Sequence, residues 1–344
     1  MKASSELHEF NSETMGHKVE VSVVLPPNFE QTSDSLPLLI NLHGGGGDRS
    51  FLLRSMDIWE SLWEEEELPP LVMISFSSGP GSWYRGNWEK FVVDELPNWA
   101  AKKFNTRTDR DGSLLTGVSM GGYGSLKIGF KYPERFKAIA PMEPAIEPSI
   151  HREEGNKRNT WYRMEAMEEM AWGSPFDESA WLEDNPATIV SKNADLIRNS
   201  GLDIYLEVGD KDYINLHDGA EYMHRILWDN DIRHEYHLVR WADHVGLSME
   251  NRTKEAHRFL AASLAGGLDE PTDLILNIEE KKYLEWVNGG MQRGEPDPSD
   301  GESLMHKDPK RAPTIHRGVW DPLKETAKDD PEMERAYAKL PPTK

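Results

Sequence analysis

The sequence predicts an α/β fold in which a mostly parallel central sheet is flanked by helices. Short apolar runs, rich in β-branched residues, alternate with longer amphipathic runs over the first 265 residues of the 344-residue chain. Several apolar runs are almost continuous, as expected for strands that helices cover on both faces of a parallel sheet. The chain is also long enough to bury one large hydrophobic core beside a smaller, polar remainder.

Seven apolar runs are predicted to be strands, in this order: Lys18–Leu25, Leu36–Leu42, Leu71–Ser75, Leu114–Val118, Ala138–Pro141, Ile204–Val208 and Glu235–Val239. The amphipathic segments between them predict helices over Trp88–Lys103, Gly122–Lys131, Gly219–Asn230 and Ser248–Leu264. The second of these helices is expected to end near Tyr132, because Pro133 disfavours a helical conformation in the residue before it.

Two segments depart from this alternation. Residues 149–190 carry several aromatic residues among many charges, and we expect a lid-like insertion over the carboxyl edge of the sheet. Residues 266–344 are polar and hold nine of the 22 prolines, which indicates either disorder or an extended arm. We therefore expect residues 1–265 to form one catalytic domain. The extension that follows is a candidate surface for homo-oligomer formation.

The chain is strongly acidic, with 60 Asp and Glu against 39 Lys and Arg and a formal charge of −21. This balance opposes binding to nucleic acids and to anionic membranes, since both depend on Lys and Arg. The chain contains no cysteine, which excludes disulfides, thiolate metal sites and a cysteine nucleophile. The N-terminal residues carry no apolar signal region. A cytoplasmic location is therefore expected, or secretion if a signal peptide has been removed.

The sequence from Gly117 to Gly121 is a G-x-S-x-G motif with Ser119 at its centre. It directly follows the apolar strand Leu114–Val118 and precedes a predicted helix, which is the context of a nucleophile elbow. The glycines permit a sharp turn that places the Ser119 hydroxyl above the sheet. The first amides of the helix favour negative charge there. The motif predicts Ser119 as a catalytic nucleophile.

A second glycine-rich segment, His43–Gly47, follows a buried strand. A strand that ends in His-Gly-Gly-Gly is typical of the loop that forms the oxyanion hole in lipases and esterases. We expect the amides of Gly45 and Met120 to be the donors, with Gly44 as the other candidate in the loop. His43 is expected to be structural, because the catalytic histidine of this fold comes last in the chain.

An acid and a base are expected after later strands. Asp210 and Asp212 follow the strand Ile204–Val208, and we favour Asp212, with Asp210 as the alternative. His244 follows the last predicted strand and precedes the final helix, which is the position of the base. The order Ser119, Asp212, His244 is that of the α/β-hydrolase fold.

These residue types predict serine hydrolase chemistry. His244 would take the Ser119 proton as the hydroxyl attacks an ester carbonyl, while Asp212 fixes the imidazole tautomer. His244 would then protonate the leaving alcohol, and water would release the acyl group by the same route. No metal or organic cofactor is expected, since no H-E-x-x-H or similar ligand spacing occurs.

At these residues the sequence resembles the α/β-hydrolase family that includes esterase D, S-formylglutathione hydrolases, tributyrin and feruloyl esterases, enterochelin esterases and mycolyltransferases. The matching stretches are Leu42–Gly46, Ser82–Tyr84, Trp88–Pro97, Gly117–Gly124, Tyr132–Phe136, Asp184–Pro186 and Val208–Asp212. The resemblance implies Asp212 as the acid, His244 as the base, and a carboxylesterase for short-chain or aromatic acyl esters. Acyl transfer to a sugar or alcohol, and a non-catalytic binding protein of this fold, are the alternatives.

A small-molecule ester is the expected partner. The residues predicted to contact it are Trp83, Tyr84, Glu143, Trp161 and Trp172. The tryptophans of the insertion are candidate pocket walls, and an ordinary place in the core is the alternative for them. Glu143 and Glu147 stand where relatives often have a small Ser-Gly-containing segment. They would repel an acidic substrate or attract a cationic one if they faced the pocket, and facing solvent is the alternative.

Overall fold

The computed structural model describes residues 2–151 and 165–266 together with the single position 288. The described part of the chain contains one eight-stranded sheet in the order β1-β2-β4-β3-β5-β6-β7-β8. Its strands are β1 Ser4–Asn11, β2 Lys18–Leu25, β3 Leu38–Leu42, β4 Val72–Phe76, β5 Ser113–Val118, β6 Ala138–Met142, β7 Asp203–Gly209 and β8 Glu235–Val239. In this order, all neighbouring strands from β4 to β8 are parallel. β2 pairs antiparallel with both of its neighbours, β1 and β4. The predicted α/β fold with a mostly parallel sheet is confirmed.

Helices lie between the strands. Among the described residues they are α1 Ser50–Leu53, α2 Met56–Glu64, α3 Asn87–Lys90, α4 Leu96–Phe104, α5 Met120–Lys131, α6 Glu165–Trp172, α7 Glu178–Asp184, α8 Pro186–Ser200, α9 Leu216–Asp229 and α10 Met249–Leu264. No helix in this part of the chain is long and apolar enough to span a bilayer.

All seven predicted strands occur, but the prediction missed β1. Its sequence is largely polar and its side chains are only half-buried or exposed, so it lacks the apolar run that marked the other strands. β1 is an edge strand whose every residue from Ser4 to Asn11 pairs with β2. Phe10 stacks on Trp99 of α4 with ring centroids 5.3 Å apart. Tertiary pairing and this aromatic contact therefore form the strand.

The predicted helix over Trp88–Lys103 is interrupted by a π-helical turn at Phe91–Glu95. Pro97 lies in the first turn of α4 and has no amide N–H to donate to the carbonyl of Val93. The Arg135 guanidinium donates to that carbonyl instead, at 2.7 Å. The irregular turn is therefore stabilised by a side chain from outside the helix.

The core is formed by the sheet and by α5, in which the residues from Met120 to Phe130 are buried. β3 and β5 to β8 are parallel, so their carboxyl ends meet at one edge, where ligands bind in open α/β sheets. Of the predicted insertion 149–190, the structure describes α6, α7, the start of α8 and their flanking residues. Asp184 anchors this segment through ion pairs with Arg85 and Lys131.

Two expectations fall outside the described residues. Trp161 belongs to the segment between residues 151 and 165, so its contacts are not part of the structure. The predicted extension 266–344 is described only at Gly266 and Asn288. Placement of the insertion as a lid, and assembly through the extension, stay predictions.

Candidate active site

Ser119 lies at the junction of β5 and α5 in a backbone conformation that residues other than glycine rarely adopt. Its φ and ψ are 59° and −115°, outside the regions favoured by L-residues. Strain of this kind persists only where surrounding contacts enforce it, and it is concentrated at functional sites. The strand therefore turns into the helix as sharply as the G-x-S-x-G motif predicts.

The motif glycines allow the backbone of this turn to lie directly against the end of β3. A Cβ atom on Gly121 would lie 2.0 Å from the carbonyl oxygen of Leu42, and one on Gly117 would lie 2.7 Å from the same atom. No real Cβ atom fits at such distances. Glycine is therefore required at both positions, and α5 begins beside the loop that leaves β3.

Main-chain hydrogen bonds attach the Ser119 turn to the end of β6. The Ser119 N–H donates to the carbonyl of Met142 at 3.0 Å, and the Ser119 carbonyl accepts from the Ala145 N–H at 3.1 Å. The residue after Met142 is Glu143. The Ser119 turn is thus bonded to the residue that directly precedes Glu143, a member of the charged cluster described below.

The loop His43–Gly47 is fixed by hydrogen bonds at three of its residues. The Tyr84 hydroxyl donates to the carbonyl of His43 at 2.9 Å. The His43 imidazole lies 2.8 Å from the carbonyl of Gly44, and the Gly46 N–H donates to Pro80 at 2.9 Å. The loop also lies against the nucleophile turn, because a Cβ atom on Gly44 would be 3.5 Å from that of Ser119.

His43 is buried and holds one defined tautomer. Its Nε2 atom accepts from the backbone N–H of Ser78 at 3.1 Å, so the proton is on Nδ1 and is donated to Gly44. Burial lowers the pKa of His43, which keeps the imidazole neutral. His43 therefore supports the loop, in agreement with the structural role expected for it.

His244 and Asp212 form a buried pair at the carboxyl ends of β8 and β7. The Nδ1 atom of His244 lies 3.3 Å from Oδ2 of Asp212, and the exposed fractions of the two residues are 4% and 3%. Asp212 also accepts from the backbone N–H groups of Ile214 at 2.7 Å and Leu216 at 3.2 Å. These bonds fix the carboxylate so that it orients the imidazole.

Asp210 has a different position. Its carboxylate accepts from the backbone N–H of Trp241 at 2.6 Å, at the exposed end of the turn. Its own N–H donates to Val239 at 3.0 Å. Asp210 therefore connects the β7 turn to the β8 turn, whereas Asp212 contacts the imidazole.

A second carboxylate, that of Glu143, is fully buried beside the same imidazole. Its Oε2 atom lies 3.9 Å from Nδ1 of His244. Its Oε1 atom accepts from the Gly209 N–H at 2.8 Å and from the Arg252 guanidinium. Arg252, on α10, also donates to the buried Glu207 of β7. Glu143 therefore faces the protein interior and forms part of an ion network.

The charges around His244 raise its pKa. Burial alone would lower the pKa of this imidazole, but the hydrogen bonds and charges of Asp212 and Glu143 outweigh it and raise the pKa to about 9. Burial also raises the pKa of Asp212, yet the bond to His244 and the backbone donors lower it overall. The pair is therefore an ionised carboxylate beside an imidazole that readily holds a proton.

The pKa values of Glu143 and Glu207 are raised, whereas that of Asp212 is lowered. Burial raises the pKa of Glu143, although Arg252 and His244 partly counteract it. Burial likewise raises the pKa of Glu207 to about 7. Glu143, Asp212 and His244 place donor atoms within 4.8 Å of one another. The guanidinium of Arg252 already supplies the positive charge there, so the cluster does not suit an added cation.

The predicted substrate contacts within the described residues are buried. Tyr84 supports the His43 loop, and Trp83 packs edge-on against Tyr123 with ring centroids 5.1 Å apart. Trp172 is 6% exposed and lies 5.4 Å from Trp83, centroid to centroid. These are the positions of core side chains, and contact of any of them with substrate stays a prediction.

An open cleft of about 450 Å³ lies beside these aromatic residues. It is lined by Ser78–Ser82, Arg85 and Trp88 on one side and by Met170 of α6 on the other. Because Pro80 accepts from Gly46, the cleft borders the His43 loop.

Sequence reasoning missed the network of Glu143, Glu207 and Arg252. Glu207 is the acidic residue within the otherwise apolar run Ile204–Val208 of β7. A carboxylate inside a continuous apolar run is buried and therefore needs a charged partner. That signal predicts an ion pair, but it does not identify Arg252 as the partner.

The sequence matches the "Putative esterase" family over residues 12–245. An esterase of Mycobacterium tuberculosis is 29% identical over 142 residues, which are 39% of this chain and 30% of that protein. The chain thus spans about a third of the length of the curated relatives that it matches first.

Solved structures show the same fold. A ferulic acid esterase superposes with a TM-score of 0.63 at 18% identity, covering 76% of this chain and 99% of the other. A fluorophosphonate-binding serine hydrolase of Staphylococcus aureus gives a TM-score of 0.59 at 19% identity, with the same coverage of 76% and 99%. The fold is therefore that of the α/β-hydrolases.

Proposed function

This chain belongs to the "Putative esterase" family, and on that premise we propose that it is a serine carboxylesterase. It cleaves short-chain or aromatic acyl esters through an acyl-enzyme on Ser119. One observation carries the proposal. The strained Ser119 turn is bonded to Met142, and the next residue, Glu143, lies 3.9 Å from a buried imidazole that pairs with Asp212. These contacts support Ser119, His244 and Asp212 as the nucleophile, base and acid at the carboxyl edge of the sheet.

The reaction has two displacements. His244 accepts the Ser119 hydroxyl proton through Nε2 while Oγ attacks the ester carbonyl carbon, and it then gives the proton to the departing alkoxide, which leaves as the alcohol. Water next attacks the acyl-enzyme, with its proton passing to His244. The same proton returns to Oγ of Ser119 as the carboxylic acid departs. Asp212 accepts from Nδ1 throughout and stabilises the imidazolium.

The hydrogen bonds of the His43 loop support the proposed oxyanion donors. In a planar trans peptide the C=O and N–H point in opposite directions. Bonds to the carbonyls of His43 and Gly44 therefore orient the N–H groups of Gly44 and Gly45 to the other side. Met120 contributes its N–H from the first position of α5. Each such donor is worth about 3 to 4 kcal/mol of transition-state stabilisation.

Two observations support an aromatic or short acyl group. The cleft beside the His43 loop is partly lined by aromatic and apolar side chains, including Trp88 and Met170. The structural neighbour with a TM-score of 0.63 is a ferulic acid esterase. Trp161 stays a candidate for the same pocket. Because Glu143 is buried and bonded inward, we do not propose that it selects for substrate charge.

Labelling with a fluorophosphonate probe tests the nucleophile. Intact-protein mass spectrometry should show one adduct on the wild type and none on Ser119→Ala. The variant should also lose at least about 10⁴-fold in kcat/KM for p-nitrophenyl acetate. Ser125→Ala is the matched control, because Ser125 is a buried serine of the same helix that only bonds to Gly121. An adduct that survives Ser119→Ala would sink the proposal.

The choice of acid is tested by two substitutions of the same chemistry. Asp212→Asn should lower kcat/KM by at least tenfold more than Asp210→Asn, since only Asp212 contacts the imidazole. The reverse order of effects would show that Asp210 is the acid. Adding a sugar or alcohol acceptor and measuring new ester separates hydrolysis from acyl transfer, since both use the same acyl-enzyme.

We further propose that the extension 266–344 contributes to a homo-oligomer and that the protein acts in the cytoplasm. The prolines and scattered aromatic residues of the extension motivate the first idea. Light scattering of the full chain and of a chain truncated after Gly266 tests it. An unchanged mass per particle would count against assembly through the extension. Fractionation of the producing cells would test the location.

A further inference from the structure

We propose that Glu143 is a positioning residue for His244, acting as a second buried carboxylate beside Asp212. The inference rests on the proposed function, in which His244 is the base. It goes beyond that function because a triad requires one acid, whereas this site buries two against the same imidazole nitrogen.

The two carboxylate oxygen atoms of Glu143 have different contacts. Oε1 is occupied by the Gly209 N–H and by Arg252, which fix the carboxylate in place. Oε2 is buried, has no hydrogen-bond partner among the described residues, and lies 3.9 Å from Nδ1 of His244. A carboxylate oxygen of Glu143 also lies within 4.8 Å of a carboxylate oxygen of Asp212. The unoccupied oxygen therefore faces the acid–base pair.

The cluster contains more buried carboxylates than basic groups. Glu143, Glu207 and Asp212 are three buried carboxylates that face two basic groups, Arg252 and His244. If all three carboxylates were ionised, the cluster would be negative even with His244 protonated. A proton on His244 offsets part of this excess, and the two buried carboxylates beside the imidazole both favour that proton. Buried clusters with a net charge are costly, so the cluster favours retention of the proton on His244.

The other titratable groups nearby do not take this role. Glu207 pairs with Arg252, and the charge of His237 acts on Glu207. The pKa of the half-buried Asp243 is lowered by its bond to Ser248. Tyr213 packs its ring against His244, with centroids 5.7 Å apart. Among the described residues, the charged groups that face His244 directly are therefore Asp212 and Glu143.

The inference predicts how the pH profile depends on Glu143. A base attacks only when unprotonated, so kcat/KM rises with pH through the pKa of His244, which Asp212 and Glu143 together raise to about 9. Glu143→Gln keeps Oε1 as an acceptor for Gly209 and Arg252 but removes the charge. The rising limb should move to lower pH by about one unit or more, a tenfold change in proton affinity.

Glu207→Gln is the matched control. Glu207 is buried in the same cluster and pairs with the same Arg252, yet it does not contact His244. The rising limb of its kcat/KM profile should stay within about 0.3 pH units of that of the wild type, near the error of such a titration. Glu143→Asp keeps the charge, and its limb should stay above that of Glu143→Gln. An unmoved limb in Glu143→Gln, or an equal shift in Glu207→Gln, would overturn the inference.

NMR titration of the His244 ring separates this inference from the proposed function. The ring pKa does not depend on whether Ser119 reacts, so it should fall in Glu143→Gln even if the esterase reading failed. The wild type alone is also decisive. A His244 pKa at or below the ordinary histidine value of 6.5 would overturn the inference, whether or not the variants fold.

A double-mutant cycle tests whether Glu143 can replace Asp212. Once Asp212→Ala removes the first acid, Oε2 of Glu143 is the carboxylate oxygen that remains near Nδ1. Adding Glu143→Gln to Asp212→Ala should therefore lower kcat/KM by at least about tenfold more than it does in the wild type. Equal fold-changes in the two backgrounds would exclude the replacement.

Discussion

The two halves of the site are held together by different forces. One half, called the nucleophile half after the role proposed for Ser119, consists of β3, β5, α5 and the loop His43–Gly47. It depends on backbone contacts and neutral hydrogen bonds. The charged half consists of Glu143, Glu207, Asp212, His244 and Arg252, and it depends on buried ionisable side chains. The stability of the nucleophile half should be insensitive to pH but should fall when side-chain volume is added. The stability of the charged half should depend on pH.

The difference also separates local from long-range determinants. Gly121 meets Leu42 because a short motif turns the chain back against β3. Arg252 meets Glu143 across 109 residues of sequence, and nothing local specifies that pair. The proposed catalysis needs both, because a fixed nucleophile and a correctly oriented base contribute independently to lowering the barrier.

The largest expected effect comes from added volume in the nucleophile half. Gly121→Ala would place a Cβ atom 2.0 Å from the Leu42 carbonyl, and the backbone must move to accommodate it. We expect a loss of about 5 kcal/mol or more of stability, or failure to fold, measured by urea unfolding. A folded variant should lose more than about 100-fold in kcat/KM.

Gly129→Ala in the same helix is its control. The three nearest atoms to a Cβ atom there belong to the side chain of Ile139, the closest at 2.9 Å, and none of the three is a backbone atom. This variant should lose no more than about 2 kcal/mol. If both variants were equally stable and active, the close contact at Gly121 would not be what holds the nucleophile half.

The second effect removes the central cation of the charged half. Arg252→Met leaves Glu143 and Glu207 buried without their partner, so we expect a loss of about 3 to 5 kcal/mol in urea unfolding at pH 8. Arg258→Met removes an ion pair with Glu67 that is about a third exposed, and it should cost less than about 1 kcal/mol. A similar cost for both substitutions would contradict a buried ion network.

The third effect is a dependence of stability on pH that originates in the charged half. The folded protein raises the His244 pKa from 6.5 to about 9, so it keeps a proton that the unfolded chain releases. The stabilisation is fully present below pH 6.5 and is lost as the pH rises toward 9. Between pH 6.5 and 8 the free energy of unfolding should fall by up to about 2 kcal/mol.

His244→Gln removes that titration, and its unfolding free energy should be nearly constant from pH 7 to 8. Glu207, whose pKa is raised to about 7, changes stability in the same direction as His244, but mainly below pH 7. Equal slopes from pH 7 to 8 in wild type and variant would show that His244 is not the group responsible.

The smallest effect concerns a neutral hydrogen bond of the nucleophile half. Tyr84→Phe removes the donor to the His43 carbonyl and should cost about 1 kcal/mol of stability. It should also lower kcat several-fold, because the oxyanion loop is less well fixed. Tyr123→Phe removes a similar buried bond, to Asp184, and should cost stability without that change in kcat. Equal kcat values in the two variants would separate the loop from catalysis.

Sequence reasoning succeeded where a run of neighbouring residues is sufficient. The seven apolar strands and the turn at Ser119 were predicted because their signals lie within a few residues of one another. It missed β1, whose polar sequence becomes a strand only through pairing with β2. The assignments of Asp212 and His244 stay predictions, and their 3.3 Å contact supports them.

The sequence alone determined the order of the seven apolar strands and the conformation at Ser119, because glycine spacing and apolar periodicity act through the nearest residues of the chain. Only the tertiary structure decided which charges meet. Glu143, predicted from sequence to contact substrate, is instead buried beside His244 and bonded to Arg252. The physical reason is that the interaction between charges depends on separation in space and on exclusion from water. Neither quantity can be obtained from the positions of these residues along the chain.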